Sequence, residues 1–103
     1  MKKVIEGKLY NTDTASKIAS WDNGMSRGDF GWCDEDIFVT KKGAYFVWGQ
    51  GGALSRWSVP CGNNGQTGGA NIEVLTAHEA REWCETHEVD ADVIAEHFKV
   101  EEA

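Results

Sequence analysis

A chain of 103 residues fits a single domain over residues 1–103, enough for one core and too short for two. Its hydrophobic content of 41%, with five tryptophans, excludes a disordered composition, and no run approaches the ~20 apolar residues that cross a bilayer as a helix. The net charge is −7, the acids of the last third make nucleic-acid phosphate an unlikely partner for that third, and no direct nucleic-acid partner is expected.

That charge is unevenly placed. Residues 1–72 carry eight bases against seven acids, whereas residues 73–103 carry ten acids against only Arg81 and Lys99. The last third therefore holds the whole negative excess. A basic protein surface is the partner such a segment attracts. The opening Met1-Lys2-Lys3-Val4-Ile5-Glu6 has no apolar signal region. Cys33, Cys61 and Cys84 are odd in number and widely spaced, unlike a secreted disulfide framework. Together these features predict a cytoplasmic protein without a membrane partner.

In chain order, Lys3–Tyr10 reads as a short strand bent at Gly7, and Asn11–Thr14 as turn chemistry. Lys17–Trp21 reads as a second strand pairing with the first. Asp22–Gly31 is a glycine-rich loop. Asp36–Gly52 is the organising stretch: residues 36–48 predict an antiparallel hairpin whose turn closes at Gly43, the natural residue for a left-handed position. Neither of its strands alternates cleanly, which predicts a central pair covered on both faces. Gly49–Gly52 is expected to break the sheet in a positive-φ turn, and Leu54–Val59 to form a half-exposed strand stopped by Pro60. Cys61–Asn71 reads as a mobile loop and Ile72–Leu75 as a last strand.

Thr76-x-x-Glu79 is a capping box that opens a helix over residues 76–87, with Ala77, Ala80, Trp83, Cys84 and His87 on its apolar side. Asp90 caps a second helix with Val93, Ile94, His97 and Phe98 as its stripe. The fold class is thus α+β: an antiparallel sheet of about five or six strands around a central hairpin, packed by two C-terminal helices.

Motifs that would announce chemistry are weak. Neither glycine loop, 49–52 or 62–69, is followed by the Lys-Ser/Thr or helix start of a phosphate-binding loop. Arg27-Gly28-Asp29 matches an adhesion tripeptide but reads as a chance occurrence. Cys84 and His87 share a helix side without paired zinc-ligand spacing, so core packing is the expectation and no metal or cofactor is assigned. The carboxylate pairs Asp34/Asp36 and Glu82/Glu85 read as solvated faces, since nothing marks one member as buried. Trp57, beside Arg56 on the half-polar segment, is the tryptophan expected to be exposed, where it would act as a binding hot spot.

Three segments together resemble a known group of proteins. They are Lys8-Leu9-Tyr10-Asn11-Thr12-Asp13-Thr14-Ala15, then Thr40-Lys41-Lys42-Gly43-Ala44-Tyr45-Phe46 with Gly51-Gly52, and Val74-Leu75-Thr76 leading into Glu79-Ala80-Arg81-Glu82-Trp83. The resemblance is to a family of small uncharacterised proteins encoded by bacterial phages and integrative mobile elements. It implies a setting in which inhibitors of host defence occur, anti-CRISPR proteins among them, and it brings no catalytic residue. The leading expectation is a small acidic, non-enzymatic protein-binding module docking on a basic, nucleic-acid-handling host protein. Its expected contact residues are Glu82, Glu85, Glu88, Asp92, Glu96, Arg56 and Trp57. The alternative is a small enzyme or ligand-binding domain using the glycine loops with Cys33 or Cys61. Oligomeric state is not legible.

Overall fold

The computed structural model describes residues 1–103 and has an α+β architecture in three layers. A four-stranded antiparallel sheet forms the middle, in the order β3(Ser16–Asp22), β4(Cys33–Val39), β5(Tyr45–Gly51), β8(Gly69–Leu75). Hairpin β1(Lys2–Ile5)–β2(Lys8–Asn11) covers one face. Helices α1(Ala77–Thr86) and α2(Ala91–His97) cover the other. A small hairpin, β6(Val59–Cys61)–β7(Gly65–Thr67), stands apart from the main sheet. No helix is long and apolar enough to cross a membrane.

The central hairpin is β4–β5, with Val39 opposite Tyr45 and a turn whose Gly43 has φ +87°. Gly43 N–H donates to the Thr40 carbonyl at 3.0 Å, and Thr40 N–H to the Ala44 carbonyl at 2.8 Å. The turn is a three-residue loop, and it closes at the left-handed position that the sequence predicts for Gly43. Both faces of the pair are buried, as its broken alternation implies. Ile37 and Val47 face the helices, in a cluster with Ala80, Trp83, Cys84 and Phe98. Phe38 and Phe46 face the β1–β2 hairpin and pack with Tyr10 and Ile72.

Several expectations are corrected. Lys3–Tyr10 is not one strand pairing with Lys17–Trp21. It is a hairpin in itself, with Ile5 opposite Lys8, while β3 pairs with β4. The two loop residues, Glu6 and Gly7, both have positive φ, at 51° and 78°. A two-residue hairpin turn of that hand demands this, and glutamate at its first position hides it from sequence rules. The main sheet has four strands rather than five or six, because two hairpins stand outside it. Residues 61–71 are not one loop, since they contain β7 and the start of β8.

The segment 49–58 is also reversed in role. Gly49 and Gly51 do not break the sheet; they are the last pleats of β5, opposite Glu35 and Cys33. Residues 54–58 are no strand. They fold back through turns in which Ser55 N–H donates to the Gly52 carbonyl at 3.0 Å and Trp57 N–H to Ser55 Oγ at 3.2 Å. This return lays the Trp57 ring on Gly49. A Cβ at Gly49 would stand 2.0 Å from that ring, so the glycine is required by close approach rather than by φ.

The C-terminal helices start at their expected caps, but the stripe expected of α2 is only half-buried at Val93, Ile94 and His97. Thr76 accepts from Glu79 N–H at 3.1 Å while Glu79 accepts from Thr76 N–H at 2.9 Å, a complete capping box. Those bonds hold the Glu79 carboxyl below its ordinary range. Ala80, Trp83 and Cys84 are buried, whereas Ala77 at the helix start is exposed. Asp90 caps α2 by accepting from Asp92 N–H at 2.8 Å. Phe98, just past α2, stacks on Tyr45 with ring centres 5.1 Å apart, and Tyr45 Oη–H donates to the His97 carbonyl at 3.2 Å. These two contacts dock α2 on β5.

Gly49→Ala is expected to cost at least about 2 kcal/mol, because the new methyl group must displace an anchored indole. Urea denaturation measures it. A variant within 0.5 kcal/mol of wild type, on the order of an ordinary surface change, contradicts the packing described.

Candidate functional site

The strand β4 divides the acidic triplet Asp34-Glu35-Asp36 by its pleat. Asp34 and Asp36 point to the partly exposed face, where they meet Arg27 at 3.8 Å and Lys17 at 3.3 Å. Glu35 points to the helix side and is only 2% exposed. It lies between two tryptophans. Trp57 Nε1–H donates to Glu35 Oε2 at 2.9 Å, and Trp83 Nε1–H donates to Oε1 at 2.7 Å. Arg56 adds a third bond, Nη1–H to Oε2 at 3.1 Å, and the Cys33 thiol approaches the same oxygen at 3.7 Å.

Charge balance at this carboxylate comes from outside. The Arg56 side chain is about half exposed, lies 4.5 Å over the Trp57 ring and also pairs with Glu73. Burying a carboxylate costs several kcal/mol, and charge-assisted bonds to two indoles and a guanidinium offset most of that. His87 closes the other side. Its Nε2 is 4.0 Å from Glu35 Oε1, and its ring lies 4.2 Å from Trp21 and 4.5 Å from Trp83. Desolvation pushes the His87 imidazole below its ordinary range, against the pull of the Glu35 charge.

The thiols follow the same environment. Burial, reinforced by the Glu35 charge, pushes Cys33 up to about 11. Burial also raises Cys84. Both are held as thiols, which makes them poor nucleophiles at neutral pH. Cys61 is exposed on the β6–β7 hairpin, whereas Cys33 is buried on β4. No group of three or more His, Cys, Asp or Glu side chains is arranged to hold a metal ion.

The expected contact residues therefore separate into two sets. Trp57 is 7% exposed rather than free, and the Arg56 guanidinium is tied to two carboxylates; neither is an open hot spot. Glu82, Glu85, Glu88, Asp92 and Glu96 are all exposed, as expected. Within α1, Arg81 sits 3.5 Å from Glu85 and offsets part of its charge, and the His78 ring lies 2.6 Å from Glu82. Glu88, Asp92 and Glu96 have no ion-pair partner. Glu88 follows the end of α1 with φ +55°, a position that glycine usually fills.

The two glycine loops do meet. Gln50–Ala53 and Gln66–Ala70 share a shallow depression of about 620 Å³ with Arg27–Phe30 and Trp32. The side chains of the adhesion-like tripeptide are engaged internally there. Arg27 lies 5.1 Å over the Trp32 ring, and Asp29 Oδ1 accepts from Gly31 N–H at 2.8 Å.

Glu35 is the residue that no sequence motif singles out. It shares the strand parity of Cys33, Ile37 and Val39, so the alternation of an otherwise apolar face was the available signal. No family model matches this chain, and neither a curated protein nor a solved structure matches it.

Glu35→Gln places an amide N–H₂ against indole and guanidinium donors. It is expected to cost about 3 kcal/mol or more, read from chemical denaturation. An isoenergetic variant contradicts the network. His87 makes a pH-dependent contribution of known sign. Its folded value lies below its unfolded one, so its stabilisation is complete above ~6.5 and is lost as pH falls through the folded value. The urea midpoint is expected to fall between pH 7.5 and 5 more steeply for wild type than for His87→Gln. Parallel profiles, or a steeper one for the variant, contradict the burial of a neutral imidazole.

Proposed function

We propose that this protein is a small acidic, non-enzymatic protein-binding module that docks on a basic protein surface through the exposed acids of α1 and α2. The carrying observation is the placement of charge across the sheet. Glu82, Glu85, Glu88, Asp92 and Glu96 lie exposed on the helix layer, while Lys2, Lys3 and Lys8 lie on the hairpin layer opposite. One face thus projects a negative field, which speeds encounter with a positive partner and selects against negative ones.

A binding role rather than a catalytic one is supported by how the reactive groups are spent. The Glu35 carboxylate is occupied by internal donors, and the two buried cysteines are held protonated. The resemblance to small phage and mobile-element proteins favours a partner among nucleic-acid-handling host proteins, whose phosphate-binding surfaces are basic. An inhibitor of host defence of the anti-CRISPR kind is the specific form proposed. The partner would meet an acidic face that competes with nucleic acid.

The test compares immobilised wild type with Glu82→Lys/Glu85→Lys/Glu88→Lys in nuclease-treated bacterial lysate, followed by kinetics on the retained protein. Wild type is expected to retain a basic protein released by salt. The triple variant is expected to associate with it at least ~10-fold more slowly at low salt, with an unchanged circular dichroism spectrum. Equal retention by both proteins, insensitive to salt, would falsify the acidic-face reading.

A further inference from the structure

On the side of the molecule away from the helices, a cleft of about 520 Å³ opens between β2, the turn that follows it and the β4–β5 turn. Its walls carry Lys8, Lys41 and Lys42 together with Thr14 and Thr40, and Tyr10 contributes to its floor. The size is that of a small-molecule site. No acidic residue lines it, and none of the three lysines forms an ion pair, in a chain whose net charge is −7. Glu6 and Asp13 are near in sequence but lie outside the lining.

The backbone that presents these lysines is fixed. Asn11 accepts from Ala15 N–H at 3.0 Å through its carbonyl and from Asp13 N–H at 2.9 Å through its side chain. Gly43 closes the opposite turn onto Thr40. Thr40 Oγ1 accepts from Ala44 N–H at 3.0 Å, which leaves its hydroxyl proton to donate elsewhere. Three exposed lysines share the lining of this one cavity, and no carboxylate of the protein pairs with them. A multiply charged anion would.

We propose that this cleft binds the polyphosphate group of a small phosphorylated molecule. A single carboxylate can engage one lysine well. A di- or triphosphate offers enough oxygens to meet three ammonium groups and the Thr40 hydroxyl together, and lysine serves phosphate as a mobile point charge. Leu9, Ala15 and Ala44 in the same lining can receive an apolar or planar body attached to the phosphates. The site does not depend on the helix face, which lies across the sheet.

The test is titration of isotope-labelled protein by NMR with metal-free ATP, inorganic triphosphate and adenosine. Saturable shifts are expected with ATP and triphosphate, confined to residues 7–15 and 40–44, and none with adenosine. Tighter binding of ATP than of triphosphate identifies a nucleotide-like ligand, and equal binding a free polyphosphate; both support the site. Lys8→Gln/Lys41→Gln/Lys42→Gln should weaken binding at least ~10-fold. Lys2→Gln/Lys3→Gln/Lys99→Gln, which removes the same charge elsewhere, should not. Absence of saturation at millimolar ligand overturns the proposal, as does equal weakening by both variants. So do shifts produced only by an oligonucleotide and spread over Lys2, Lys3 and Lys17.

Discussion

One carboxylate holds the helix side of this protein together. Glu35 receives an indole N–H on each oxygen, from Trp57 on a loop and from Trp83 on α1. Those residues are separated by 22 and 48 positions from Glu35, so the bonds tie two remote parts of the chain to one point of the sheet. Indole N–H groups have one possible partner geometry each, and burial leaves them no water to fall back on. A neutral acceptor would satisfy them less well. A bare carboxylate without Arg56 would leave a buried charge uncompensated. The four groups therefore stand or fall as a unit, and removal of any one exposes the desolvation cost of the others.

The rest of the helix layer inherits its position from that unit. With Trp83 directed inward, the 3.6-residue period of α1 directs Glu82 and Glu85 outward. The same periodicity that fixes the core thus fixes the acidic face. Gly49 belongs to the same arrangement, because only a residue without Cβ lets the Trp57 ring lie flat enough to reach Glu35. The opposite layer is built separately, on Tyr10, Phe38, Phe46 and Ile72, and carries Lys2, Lys3 and Lys8 against Glu6 and Asp13. The result is a molecule with two electrically different faces separated by one sheet.

What the sequence discloses is local. The β4–β5 turn, the Thr76–Glu79 capping box, the Asp90 cap and the burial of Trp83 are each encoded within a few residues, and each is found as read. What it withholds depends on chain return. Leu54–Val59 has strand-like alternation, yet serine side chains and turns fold it back, and this is invisible until Gly49 is seen as a seat for Trp57. Glu6 in a left-handed turn position defeats the usual hairpin signature, so β1 and β2 read as one strand. Glu35 is hidden by its neighbours. Flanked by Asp34 and Asp36, it looks like part of a solvated run, although strand parity places it with Ile37. The lysine cleft is hidden for a similar reason, since Lys8 and the pair Lys41-Lys42 are brought together only by hairpin packing.

The central claim is that one buried carboxylate fixes both indoles. Hydrogen exchange of the Trp57 and Trp83 indole N–H protons, followed by NMR, tests it most directly. Both protons should exchange only through global unfolding, at rates matching the slowest backbone amides of β4 and β5, and both should lose that protection together when Glu35 is replaced by alanine. If either indole proton exchanges as fast as that of an exposed tryptophan in the native protein, Glu35 is not the common anchor, and the positions of the Trp57 loop and α1 need another cause.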